Sequence, residues 1–111
     1  MKHVRLDQTP EAPVSHNPDI KKRVLLRPGD LPGLTNFSQA RFRPQQVAAG
    51  HSHPDMVEVF WVEAGQGMIT IDGVPYDLSP GTCVAVEPGE CHEVINSGTV
   101  DLVLTYFGLQ L

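Results

Sequence analysis

Residues 51–65 read H-S-H-P-D-M-V-E-V-F-W-V-E-A-G, and residues 81–96 read G-T-C-V-A-V-E-P-G-E-C-H-E-V-I-N. Three of the chain's five histidines fall in these two stretches, together with Glu58. His51 and His53 stand two apart, so on a strand they face the same way. Same-face neighbours on a strand lie roughly 6–7 Å apart, which lets two imidazoles converge on one ion at about 2.0–2.1 Å per nitrogen. Pro54 and Asp55 suggest a turn, after which Glu58 comes from the neighbouring strand. His92 closes the set from a distant segment.

Working outward, Gly65, Gly73, Gly81, Gly89 and Gly98 recur every eight or nine residues, the rhythm of an all-β sandwich or barrel. Asp72-Gly73, between M-I-T-I and V-P-Y-D-L, predicts a hairpin with a type I′ turn. Pro75 then marks a strand start or an edge, and Pro80-Gly81, Pro88-Gly89 and Ser97-Gly98 mark further turns. No stretch carries helical periodicity. On the strand Val57–Val62, alternation puts Glu58, Phe60 and Val62 inward and Val57, Val59 and Trp61 outward. A strand apolar on both faces is covered on both: either the second sheet or the N-terminal segment covers the outer side, or a second copy of the chain does, anchored by Trp61. Along Phe37–Arg43, Phe37, Gln39, Arg41 and Arg43 share one face and Ser38, Ala40 and Phe42 the other. An inward Arg41 suits a substrate carboxylate, and an outward one is ordinary surface. Tyr106 is open in the same way.

The two stretches resemble the motifs of the cupin family, G-x5-H-x-H-x3–4-E-x6-G and G-x5-P-x-G-x2-H-x3-N. His51, His53, Glu58 and Gly65 match the first; Gly81, Gly89, His92 and Asn96 match the second. Gln45 stands at the first motif's opening glycine, and Glu87 at the second motif's proline, with Pro88 one place later. These departures touch turns and not ligands. The resemblance, spread over about residues 23–109, implies an all-β double-stranded β-helix, or jelly-roll barrel, with His51, His53, Glu58 and His92 as metal ligands. It also implies a small homodimeric protein. Asn96 is read as support for a turn or for the ligands.

At 111 residues the chain makes one domain. Residues 1–22, with Pro10, Pro13 and Pro18 and no periodicity, read as an extended arm laid along the barrel or a partner, and residues 23–111 as the barrel. His3 and His16 lie in that arm and receive no role. A net charge of −5 argues against nucleic acid as a partner. The cluster Lys21-Lys22-Arg23, with Arg27, reads as a solvated strand start. No apolar run is long enough to span a bilayer and no secretory signal is read at the N-terminus, so a cytoplasmic location is expected. Cys83 and Cys91 make no disulfide framework; Cys83 is expected in the core, and Cys91 is expected to point away from the ligands because His92 points toward them.

Three nitrogens and one oxygen leave positions open on a six-coordinate Fe, Mn, Ni, Co or Zn ion, and ligand type does not choose among these. The expected function is binding of a small organic molecule at that divalent metal. The resemblance extends this to a metal-dependent enzyme of oxygenase, isomerase or decarboxylase type, with a non-catalytic binding or sensing module as the alternative. One fold hosts many chemistries, and no separate general base is apparent: Glu63 and Glu93 should face away from Glu58 and His92.

Overall fold

Apolar alternation along the chain sorts into two facing sheets in a computed structural model of the protein, which describes residues 1–111. A 3-10 turn at Leu6–Gln8 leads into ten strands: β1 (Glu11–Val14), β2 (Asn17–Leu26), β3 (Leu34–Phe42), β4 (Val47–His51), β5 (Met56–Ala64), β6 (Gly67–Ile71), β7 (Val74–Leu78), β8 (Cys83–Val86), β9 (His92–Ile95) and β10 (Leu102–Gln110). Six form one sheet in the order β1-β2-β3-β10-β5-β8, and four form the other in the order β4-β9-β6-β7. Every pairing is antiparallel. The fold is an all-β jelly roll, as the turn rhythm predicts.

The hairpin at Asp72-Gly73 is built as read. Both residues have positive φ, 48° and 84°, and Ile71 pairs with Val74 across the turn. Pro75 follows on β7, an edge strand, where a missing N–H costs no ladder bond. Between the sheets, Ile20, Phe42, Val62, Ile69, Leu78 and Leu104 are almost wholly buried. Glu58, Phe60 and Val62 face inward from β5, while Trp61 is 47% exposed on the outside.

Residues 11–22 differ from the arm read in the sequence. They form β1 and most of β2, and β2 pairs with β3 through Lys21↔Arg41 and Val24↔Ser38. β2 runs without interruption across the expected boundary at residues 22 and 23, and Ile20 within it is fully buried. The prolines that suggested an arm sit where a sheet tolerates them: Pro13 on the edge strand β1 and Pro18 at the start of β2. Since this segment extends the sheet sideways and the four-stranded sheet packs on the inner side, neither covers the outer face of β5. Cys83 is a second difference. It is exposed and pairs with Trp61 on that outer face, because Val84 and Val86 take the inward positions of β8.

Candidate metal centre

His51 and His92 face each other across the four-stranded sheet because β4 carries an extra residue. Ala48 pairs with Val94 and His51 with His92, so Ala49 and Gly50 together stand opposite Glu93. This is a β-bulge, and it turns His51 onto the inner face beside His92. Glu93 points outward, as expected, and its Oε2 accepts the Gly50 N–H at 3.2 Å, holding the bulge. The His51 Nδ1–H donates to the Ala49 carbonyl at 2.9 Å. That fixes the ring and leaves Nε2 with its lone pair free for an ion.

His53 corrects the sequence reading. β4 ends at His51, so His53 lies just past the strand, and its place comes from elsewhere. Its backbone carbonyl accepts the Gly89 N–H at 2.8 Å, and Gly89 takes φ 82° in the turn after Pro88. A glycine of the second stretch thus fixes a histidine of the first. Glu58 corrects a second detail: it comes from β5, on the opposite sheet, not from a strand beside β4. Its Oε1 lies 3.4 Å from His53 Nε2 and 3.2 Å from His92 Nε2.

One ligand atom from each of His51, His53, Glu58 and His92 lies within 4.8 Å of the others, so the cluster can hold a metal ion. Glu58 Oε1 and both ring nitrogens of His92 are buried without a hydrogen-bond partner. Each such orphan costs on the order of 1–3 kcal/mol, and an ion bound to Glu58 Oε1 and a His92 nitrogen relieves two of them. Protonation is also suited to a cation. Burial, reinforced by the neighbouring imidazoles and only partly offset by the Ala49 carbonyl, lowers the His51 pKa below its ordinary value. Burial pushes the Glu58 carboxyl up, but His92, His53 and His51 outweigh it and hold it below the usual carboxylate value.

A cavity of about 260 Å³ opens beside the cluster between the sheets. Ala40, Phe42, Phe60, Val94 and Leu104 make its apolar wall. Tyr106, left open by the sequence, faces inward, stacks on Phe60 with ring centres 5.5 Å apart, and lines the cavity. Burial, together with the charge of Glu58, raises its hydroxyl pKa to about 12. Arg41 faces outward and pairs with Asp101 at 3.4 Å. Asn96 is fully buried; its amide donates to the Phe42 and Val100 carbonyls and its Oδ1 accepts the Gly98 N–H, so it pins the turn after β9. Cys91 is exposed, away from the cluster.

Two residues that the sequence reading passed over border the site. His16, in the turn between β1 and β2, stacks on His51 with ring centres 3.8 Å apart, and Lys22 of β2 lines the cavity. No spacing rule links either to the two motifs. The only signal was the alternation of Ile20, Lys22 and Val24, hidden by the basic residues on either side.

Fold and cluster together define a jelly-roll barrel with a candidate metal site between its sheets. The chain belongs to the cupin family: the model described as "Cupin domain" matches residues 38–108. No curated protein matches the chain. Among solved structures, one described as a predicted oxalate decarboxylase from Thermotoga maritima superposes with a TM-score of 0.91 at 19% identity, covering 98% of this chain and 99% of that one. A sugar phosphate isomerase from a cupin superfamily, from Silicibacter pomeroyi, gives 0.82 at 18% identity, with 98% and 76% covered. The polyketide cyclase RemF from Streptomyces resistomycificus gives 0.82 at 17% identity, with 98% and 79% covered. At these identities the likeness speaks to the fold alone.

Proposed function

We propose that the protein binds one divalent transition metal (Fe, Mn, Ni, Co or Zn) through His51, His53, Glu58 and His92, and that a small organic molecule in the adjoining cavity reaches that ion. The observation that carries this is the set of buried, unpartnered atoms on Glu58 and His92 facing a largely apolar cavity. Three nitrogens and one oxygen leave room for a further ligand. A bound ion there supplies Lewis-acid or redox capacity to whatever occupies the cavity. The apolar wall excludes water, and Phe60 and Tyr106 fix the orientation of the guest. The function is then that of a metal-dependent enzyme of dioxygenase, isomerase or decarboxylase type. The different activities named for the three similar structures are consistent with one barrel serving several chemistries.

A non-catalytic binding or sensing module is the second reading, and one observation favours it. Glu58 is the sole acidic side chain lining the cavity, and it belongs to the candidate ligand set. Glu63 is engaged outside with Gln39 and Thr105, and the Tyr106 hydroxyl, at about 12, is a poor base at neutral pH. Two free, exposed cysteines suit the reducing cytoplasm in which we place the protein.

The deciding measurement is metal content by mass spectrometry of protein purified without added metal or a nickel column, beside a His51→Ala/His53→Ala variant. Near-stoichiometric metal in the wild type and none in the variant is the expected result. A wild type that is empty and refuses added metal would end the metal reading. Metal-dependent oxygen uptake or substrate turnover then marks the enzyme, and tight binding of an unchanged ligand marks the module.

A further inference from the structure

One cation faces the cavity. Lys22 pairs with Ala40 of β3, and its neighbour on the same face, Val24, pairs with Ser38. Ala40 and Ser38 are buried between the sheets, so the register turns Lys22 inward, and it lines the cavity with Thr35, Asn36 and Tyr106. The residues on either side face out and have partners. Lys21 Nζ donates to the Pro18 carbonyl at 2.8 Å, and Arg23 lies 3.8 Å from Glu11. Lys22 has neither an ion-pair nor a hydrogen-bond partner for its ammonium among those formed in the chain.

We propose that Lys22 is the counter-ion for a small, singly charged carboxylate, which sits in the cavity with its carboxylate toward β2 and its remaining atoms toward the four-residue cluster. The proposal rests on the reading of that cavity as a ligand site. Lys22 is partly buried beside an apolar wall, and an anion in the cavity would give its ammonium a charge-assisted hydrogen bond. A single ammonium balances a single negative charge. Phosphate monoesters carry nearly two charges and three acceptor oxygens, more than one lysine and the neutral Thr35 and Asn36 can match. Size acts in the same direction: about 260 Å³ lies below the roughly 300–1,000 Å³ of pockets for drug-sized ligands. His16, stacked over His51, lines the same cavity. The cation that the sequence offered for a carboxylate was Arg41, which the structure turns to the surface; Lys22 takes its place on the inner face.

The test is calorimetric titration of the purified full chain, its metal content measured in parallel, with 2-oxobutyrate and benzoate as probes. 2-Oxobutanamide and benzamide serve as neutral counterparts, and phenyl phosphate as the phosphate arm. The expected result is that each carboxylate binds at least about tenfold more tightly than its amide. Lys22→Met should abolish that preference without changing metal content or the thermal midpoint of the ligand-free protein, and Lys22→Arg should keep most of it. Amides binding as well as acids, Lys22→Met binding acids as the wild type does, phenyl phosphate outcompeting benzoate, or no probe binding at all would each overturn the proposal. The two readings fail separately. Metal-loaded protein without a Lys22-dependent preference sinks this inference alone, whereas protein that is empty, refuses added metal and still retains the preference sinks the metal reading alone.

Discussion

Gln45 holds a left-handed backbone, φ 73°, at the position where the first motif has glycine. Its N–H donates to the Asn96 carbonyl at 3.0 Å, so the turn keeps its shape although the side chain disfavours it by about 1–2 kcal/mol. Gln45→Gly should therefore stabilise the protein by about 1 kcal/mol or less, since glycine also costs more entropy on folding. Urea unfolding that shows clear destabilisation would mean that the exposed side chain has a role of its own. The four ligand types were legible residue by residue, because chemistry and spacing are written in the sequence. The orientation of Arg41 and Tyr106 was not, because alternation tells which residues share a face but not which face is inner. Titration belongs to this scale too. His51 has a folded pKa below its ordinary 6.5, so on acidification the unfolded chain takes up its proton first and the metal-free fold loses stability as pH falls through that value. Glu58, also held low, shifts stability in the same direction below its ordinary 4.5. Metal needs neutral imidazole, so occupancy after dialysis should fall across the same window, starting below about pH 6.5. Occupancy unchanged into strong acid would mean that other groups hold the ion.

Strands were legible as elements from the later part of β2 onward, where turn residues and alternation agree. β1 and the start of β2 were not, since their prolines mimic a linker and what makes them strands is the pairing of β1 with β2 and of β2 with β3. The bulge in β4 was also invisible: nothing in V-A-A-G-H announces that two residues will oppose one. Its effect is nonetheless testable. Deleting Ala49 removes the extra residue and leaves His51 two places after Ala48, so alternation with a period of two keeps it on the inner face opposite His92. Deleting both Ala49 and Gly50 leaves it one place after Ala48 and should turn it to the outer face, with metal stoichiometry retained in the single deletion and lowered to that of the double alanine variant in the double deletion. Full metal binding in the double deletion would show that strand register does not orient His51.

For the whole molecule, the outer face of the six-stranded sheet around Trp61, which is 47% exposed, is a surface that its own chain leaves open. Trp61 pairs with Thr105 and Cys83, and Phe107 with Val59 and Phe37, so an apolar band crosses four strands with no layer over it. The sequence offered three covers for this band, and the fold removes two of them, the second sheet and the N-terminal segment. We propose the third, a second copy of the chain packed on Trp61 in a homodimer. Trp61→Arg should sediment as a monomer at concentrations where the wild type is a dimer; a variant still dimeric would place the interface elsewhere.

Glu58 on β5 and His92 on β9 belong to different sheets and share no backbone hydrogen bond, yet their ligand atoms lie 3.2 Å apart. An ion held by both is therefore a cross-link between the two layers that needs no covalent bond between residues. Chelation should act on this protein as reduction acts on a stapled one, lowering the thermal midpoint and loosening the layers first where they meet at the cavity mouth.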